Sequence, residues 1–137
     1  MSDRALPDLA PLLDVLRASV PGLAAVYLFG SHAAGAATPA SDLDLAVLAA
    51  RPLGDLPRFD VQERLATRLG RDVDLVDLRA ASTVMQAQVV ATGRVLLDAD
   101  PGERARFETV AYSAYAMLNE ERAGILADIA ARGTVYG

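Results

Sequence analysis

Two stretches of this chain alternate acidic and apolar residues with a period of two. Asp42-Leu43-Asp44-Leu45-Ala46-Val47-Leu48 places Leu43, Leu45 and Val47 on one side of an extended strand and both aspartates on the other. Arg71-Asp72-Val73-Asp74-Leu75-Val76-Asp77-Leu78 repeats the pattern. This periodicity demands a sheet with a covered face and argues against an amphipathic helix over either stretch. Asp42 and Asp44 are then roughly 7 Å apart along one strand face. Carboxylates this close repel one another unless cations bind between them. Magnesium suits such a place, because it takes one or two carboxylates together with substrate phosphates.

The remaining elements read as an α/β chain. Leu9, Leu12, Leu13 and Leu16 have helical spacing, and Pro21-Gly22 ends that helix. Ala25 to Phe29 is a run of strand formers stopped by Gly30, and the small-residue stretch Ser31 to Ser41, with Gly35 and Pro39, predicts a helical turn and a loop. Arg51 to Pro57 predicts a connection, Leu56 or Arg58 to Leu69 a helix closed by Gly70, residues 83–92 another helix, and Arg94 to Leu97 a short strand. After Asp100, a capping residue, Pro101 at the first helical position and Glu103 three residues after the cap predict a helix start. Phe107, Val110, Ala111, Ala114, Leu118, Ile125 and Ile129 then recur at helical spacing as far as Gly133. A helix over 101–131 would be about 45 Å long. Part of it should therefore project or be covered by another chain, while Gly124 argues against one unbroken rod at a cost of about 1 kcal/mol.

The expected fold is thus a small mixed sheet of about four strands with helices on one face and a long C-terminal helix. At 137 residues the chain is expected to form one domain, with its core over about 1–99 and the last helix over about 101–132.

Composition narrows the chemistry. All 13 basic residues are arginine, so there is no Walker A lysine, Schiff base or Ser-Lys pair. The absence of cysteine removes thiol catalysis, disulfides and thiolate zinc, and a lone His32 removes any two-histidine site within one chain. Carboxylate, hydroxyl and metal chemistry remain. The net charge of −5 argues against direct nucleic-acid binding, which needs a basic face. No apolar run is long enough for a membrane span and nothing reads as a leader, so a soluble cytoplasmic protein is expected.

Gly30-Ser31 ends a strand and lies ten residues before Asp42-x-Asp44. Gly30 would admit a triphosphate close to the backbone, and Ser31 with the turn's N–H groups would donate to its oxygens. Two ions about 3.5–4 Å apart could then clamp an in-line phosphoryl displacement. The combination resembles the signature of the DNA polymerase β-like nucleotidyltransferase superfamily. More narrowly, it is similar to the minimal nucleotidyltransferases (MNT, MntA-type) that act as antitoxins to HEPN-domain RNase toxins. The likeness extends to the acidic strand at Asp72 to Asp77, the Val-Leu-Leu-Asp ending at Asp98, the Arg-Phe-Glu entry to the last helix and the terminal Tyr136-Gly137.

The resemblance implies ATP as substrate and Mg2+ as cofactor, two ions, with Asp42, Asp44 and Asp74 as metal-binding and catalytic residues. Asp72 is the alternative third acid, and Gly30 and Ser31 hold the nucleotide. It implies transfer of AMP to a tyrosine of a HEPN RNase toxin, with Asp74 taking the hydroxyl proton or positioning the second metal. One departure stands out. The family loop often reads Gly-Ser-x-Ala-Arg-Gly, whereas this chain has Ala34 in place of the cation, which favours a rival reading as a non-catalytic antitoxin that masks its toxin. His32 would compensate only if charged and turned inward. A small-molecule adenylyltransferase of the aminoglycoside-modifying kind is the other rival, although its substrate-binding region has little room here.

The same residues have plainer readings. Asp-apolar alternation also occurs at solvent-facing sheet edges, Asp77 reads as a surface or capping residue, and the Ser31-His32 pair lacks an oxyanion-hole motif. Phe107, Tyr112, Tyr115 and Met117 read as core or partner-facing packing. Arg104, Arg106 and Arg122 read as solvated helix charges, with Arg104 or Arg106 able to face phosphates. Tyr136 has two readings, an ordered end near the site or a frayed tail.

Overall fold

The structure is a computed structural model and describes residues 9–35 and 42–131. The expectations placed on residues 36–41, including Pro39 and Ser41, on the His32 side chain, and on Arg132 to Gly137, Tyr136 among them, lie outside the described residues.

The elements run α1 (Ala10–Ser19), β1 (Leu23–Phe29), α2 (Gly30–Ala34), β2 (Leu43–Ala49), α3 (Asp55–Leu69), β3 (Val73–Asp77), α4 (Thr83–Thr92), β4 (Arg94–Asp98) and α5 (Pro101–Ala131). The four strands form one mixed sheet in the order β3-β2-β1-β4. β1 pairs antiparallel with β2 and β4, and β2 pairs parallel with β3. The parallel pair needs a crossover, which α3 supplies.

Local chemistry accounts for the element ends. Gly70 closes α3 in the left-handed region (φ 65°) and donates its N–H to the Ala66 carbonyl. Ser82 caps α4 by accepting the Met85 N–H at 3.1 Å. The capping residues read at the start of α5 also form, with Asp100 Oδ1 accepting the Glu103 N–H at 3.1 Å. Gly124 does not interrupt α5, which is continuous from Pro101 to Ala131. The penalty of about 1 kcal/mol for a helical glycine is carried by the good helix formers on either side.

One expectation needs correction, because the helices cover both faces of the sheet. On the first face Leu12 and Leu16 of α1 and Val61 and Leu65 of α3 pack with Val26, Leu28, Leu43, Leu45, Val47, Val73 and Leu75. On the second, Val89 of α4 and Phe107 and Ala111 of α5 pack with Ala25, Tyr27, Phe29, Ala46 and Leu48. The central strand β1 is apolar at every position but Tyr27, and it is buried on both sides from Ala24 to Phe29. Such a strand reads as a continuous run and so gives no sign of how many faces are covered.

The free edge of β3 is closed by side chains of α3. Gln62 Oε1 accepts the Leu75 N–H at 2.9 Å, and Arg58 Nη1 donates to the Leu75 carbonyl at 3.0 Å. These bonds use the backbone groups that another strand would otherwise pair with.

Candidate active site

The second face carries the carboxylates at one end. Asp44 on β2 is the register partner of Phe29 on β1 and of Asp74 on β3. Register partners share a face and lie about 4.8 Å apart across strands. Asp42 precedes β2 by one residue and is two residues from Asp44, so the period of two returns it to the same side. Asp42 and Asp74 are exposed and Asp44 is half-buried. Asp72 is exposed just before β3, where its carbonyl accepts the Leu43 N–H at 3.0 Å. The direct register partner of Asp44 is thus Asp74.

Gly30 fits closely against this group. Its φ of 72° lies in the left-handed region, and a Cβ there would overlap the Asp44 carboxylate. The turn into α2 therefore runs against Asp44 only because position 30 has no side chain. Ser31 is half-buried beside it and Ala34 is exposed, so position 34 gives the turn no cation.

Among the described residues no three His, Cys, Asp or Glu side chains form a ready-made metal cage. Paired carboxylates open to a ligand nevertheless match the donor chemistry of magnesium, which completes its shell with phosphates and water. The Gly30 turn packs directly against Asp44, the half-buried member of the group.

A cleft of about 430 Å³ runs along the outer edge of β3, lined by Asp74, Asp77, Arg58 and Asp55 among others. A larger hollow of about 590 Å³, lined by Pro21, Ala50, Arg51 and Leu53, lies at the far end of β2. At about 3.3 Å per residue it is roughly 20 Å from Asp44, and none of its lining residues is acidic.

Asp77 differs from the other strand acids. It is buried, at 5% exposure, on the opposite face from Asp74. Its Oδ2 accepts the Leu53 N–H at 2.7 Å and its Oδ1 accepts the Arg79 N–H at 3.1 Å. It pins the loops after β2 and β3 and is not a surface residue.

The nucleotidyltransferase family described as "Polymerase beta, Nucleotidyltransferase" matches residues 14–102, a span that includes Gly30, Ser31, Asp42, Asp44 and Asp74. This chain belongs to that family. Protein adenylyltransferase MntA of Shewanella oneidensis is 41% identical to this nucleotidyltransferase over 120 residues, 88% of this chain and 86% of that protein. A crystal structure of a toxin–antitoxin with AMP-PNP matches with a TM-score of 0.82 and 39% identity, over 90% of this chain and 98% of that one. A structure of the tri-AMPylated Shewanella oneidensis HEPN toxin in complex with MNT antitoxin matches at 0.73 and 39%, over 87% and 92% of the two chains.

Sequence reading missed the polar network that fastens α5 to the nucleotidyltransferase sheet. Tyr27 is buried in β1 and donates its hydroxyl to Glu108 Oε2 at 2.7 Å. Arg104 bridges Glu108 at 2.9 Å and Asp98 at 3.0 Å. Arg79 pairs with Glu103 and lies over the Phe107 ring, while Arg106 holds the other Glu103 oxygen at 2.9 Å. Arg104 and Arg106 are therefore engaged in ion pairs. Hydrogen bonds from Arg79 first and Arg106 second hold the Glu103 carboxyl below its usual range. Burial first and Glu108 second push the Tyr27 phenol well above its ordinary value. A tyrosine inside an otherwise apolar strand was the available signal, since a buried phenol needs a partner for its hydroxyl.

Proposed function

We propose that this chain transfers AMP from ATP to a tyrosine hydroxyl of a HEPN-type RNase toxin and so acts as its antitoxin. The observation that carries this reading is the convergence of Asp42, Asp44 and Asp74 on one sheet face, with the Gly30 turn packed against Asp44. The relatives' names supply the acceptor class, a HEPN toxin, and the nucleotide, through AMP-PNP.

In this reading Asp42 and Asp44 would hold Mg2+, two ions when the site is loaded, and Asp74 would complete the set. The metal's chemistry is to offset the triphosphate charge and favour departure of pyrophosphate. Gly30 lets the phosphate chain approach the backbone, and Ser31 donates to it. Asp74 takes the phenolic proton as the tyrosine oxygen bonds to the α-phosphorus and the α–β phosphoanhydride bond breaks. The catalytic core covers about 1–99 and the helix from 101 serves the partner. The reaction belongs to the cytoplasm, where ATP, magnesium and RNA targets coexist.

The test is to incubate the chain, α-labelled ATP, magnesium and its HEPN partner, and to follow label on the partner. Label should appear, and Asp42→Ala with Asp44→Ala should reduce it by about 10³-fold, as expected for losing several kcal/mol of transition-state stabilisation. No label with the wild-type chain, or label undiminished in the double variant, would remove the enzymatic reading. Ala34, exposed where a cation is expected, favours one second reading, neutralisation by masking alone. A double variant that protects cells from the toxin as well as the wild type does would select it.

A further inference from the structure

The last helix changes character along its length. Phe107 and Ala111 are buried, and Ala114, Tyr115 and Leu118 are half-buried against the body of the protein. The stripe continues at helical spacing through Ile125 and Ile129, with Leu126 beside it. There it emerges, with Ile125 61%, Leu126 67% and Ile129 37% exposed. From residue 119 to 131 every position is exposed. A helix of about 13 residues with no tertiary support is marginal in water. Isoleucines that keep the phase of the inward stripe suit a face that another molecule covers.

Charge distinguishes the possible occupants. Residues 119–131 carry Glu120, Glu121 and Asp128 against Arg122 alone. A second copy of this chain would bring like charge to like charge, which works against association. A basic partner would be attracted, and an RNA-cutting protein needs basic surface to hold phosphates. Position adds to this. Glu108 fixes α5 to Tyr27 on the face that carries Asp44 and Asp74, and Ile125 lies about 25 Å farther along the same continuous helix. A partner gripped there is held in a set orientation to the carboxylates, and orientation is a large part of catalysing a bimolecular transfer.

We infer that the outer half of α5, through Leu118, Ile125, Leu126 and Ile129 with its acidic flank, is the docking face for the basic toxin partner and presents the acceptor tyrosine to the site. This rests on the proposed function for the partner's class. The test uses the full chain and the purified HEPN-domain toxin encoded in the same genome. Ile125→Gln with Ile129→Gln should weaken toxin binding by about 30-fold or more, roughly what losing two buried isoleucine contacts implies. The KM for the toxin should rise in parallel, with kcat at saturating toxin and AMP-PNP affinity unchanged. Glu120→Arg with Glu121→Arg, which leaves the apolar stripe whole, should weaken binding by about tenfold at low salt and less at high salt. Unchanged toxin affinity in both variants would overturn the inference. So would a wild-type dimer that the isoleucine variant dissociates without loss of toxin affinity, since a second copy would then own the face. Binding that depends on this face but yields no label would sink the transferase reading and keep the docking face. Label that neither variant diminishes at toxin concentrations well below KM would do the reverse.

Discussion

Two sets of carboxylates share the second face of the sheet, and the protein treats them in opposite ways. Toward β4 and α5, Asp98, Glu103 and Glu108 each have an arginine, and Tyr27 donates to Glu108 as well. At the β2–β3 end, Asp42 and Asp74 are exposed, with no ion pair among the described residues, and Asp44 lies between them under the Gly30 turn. The first set has its countercharge built in and fastens a helix to a sheet. In the second, Asp42 and Asp74 face solvent, where a ligand can reach them. In a chain whose cations are all arginine, Arg79, Arg104 and Arg106 hold the acids that fasten α5 to the sheet.

Substitutions on the two sides should therefore separate activity from stability. The largest effect is expected from Asp74→Asn, which should cut AMP transfer by about 10²-fold or more, the usual scale for a general base. Its melting temperature should stay the same or rise slightly, because a like charge beside Asp44 is gone. A matching loss of stability would place Asp74 with the structural set. Gly30→Ala comes next. Left-handed backbone costs a residue with a Cβ about 1–2 kcal/mol, and the overlap would displace Asp44. Transfer should fall by about 10²-fold, the scale of a 1 Å misplacement, and AMP-PNP titration should show weakened binding.

On the other side, Arg104→Met should cost about 1–2 kcal/mol in chemical denaturation, discounted for its partial exposure, and leave the kcat of transfer within about twofold. A collapse of kcat would mean that the arginine network serves the nucleotide. The smallest effect is a pH dependence. The Tyr27 phenol has a higher pKa folded than its ordinary 10.0, so its contribution to stability is intact below pH 10.0. That contribution is lost as pH rises from there toward the folded value. Absorbance titration should find one of the four tyrosines ionising late, and Tyr27→Phe should abolish that late step.

Legibility in the sequence followed the range of each interaction. The strand positions of Asp42 and Asp44 were readable because strand alternation is local, and the α5 cap because all its partners lie within four residues, whereas Asp74 was preferred to Asp72 only through the family resemblance. The projecting helix was readable from its length and phase alone. Asp77 was misjudged as a surface or helix-capping residue because it sits in the same acid–apolar repeat as Asp74. Odd and even positions of β3 face opposite ways, and only the loop bearing Leu53, 24 residues earlier, makes its burial tolerable. The Tyr27–Glu108 bond spans 81 residues, beyond any local pattern.

By itself, the sequence determined the acidic strands, the Gly30-Ser31 turn at its distance from them, and a last helix too long for the body it packs on. These are consequences of backbone periodicity and steric freedom, which act between near neighbours. Tertiary structure alone decided the order β3-β2-β1-β4, the covering of both faces, and which acids would be neutralised. Each of these depends on which distant segment supplies the contact, whether Arg104 for Asp98 and Glu108 or Leu53 for Asp77. Only folding brings such groups within hydrogen-bond reach.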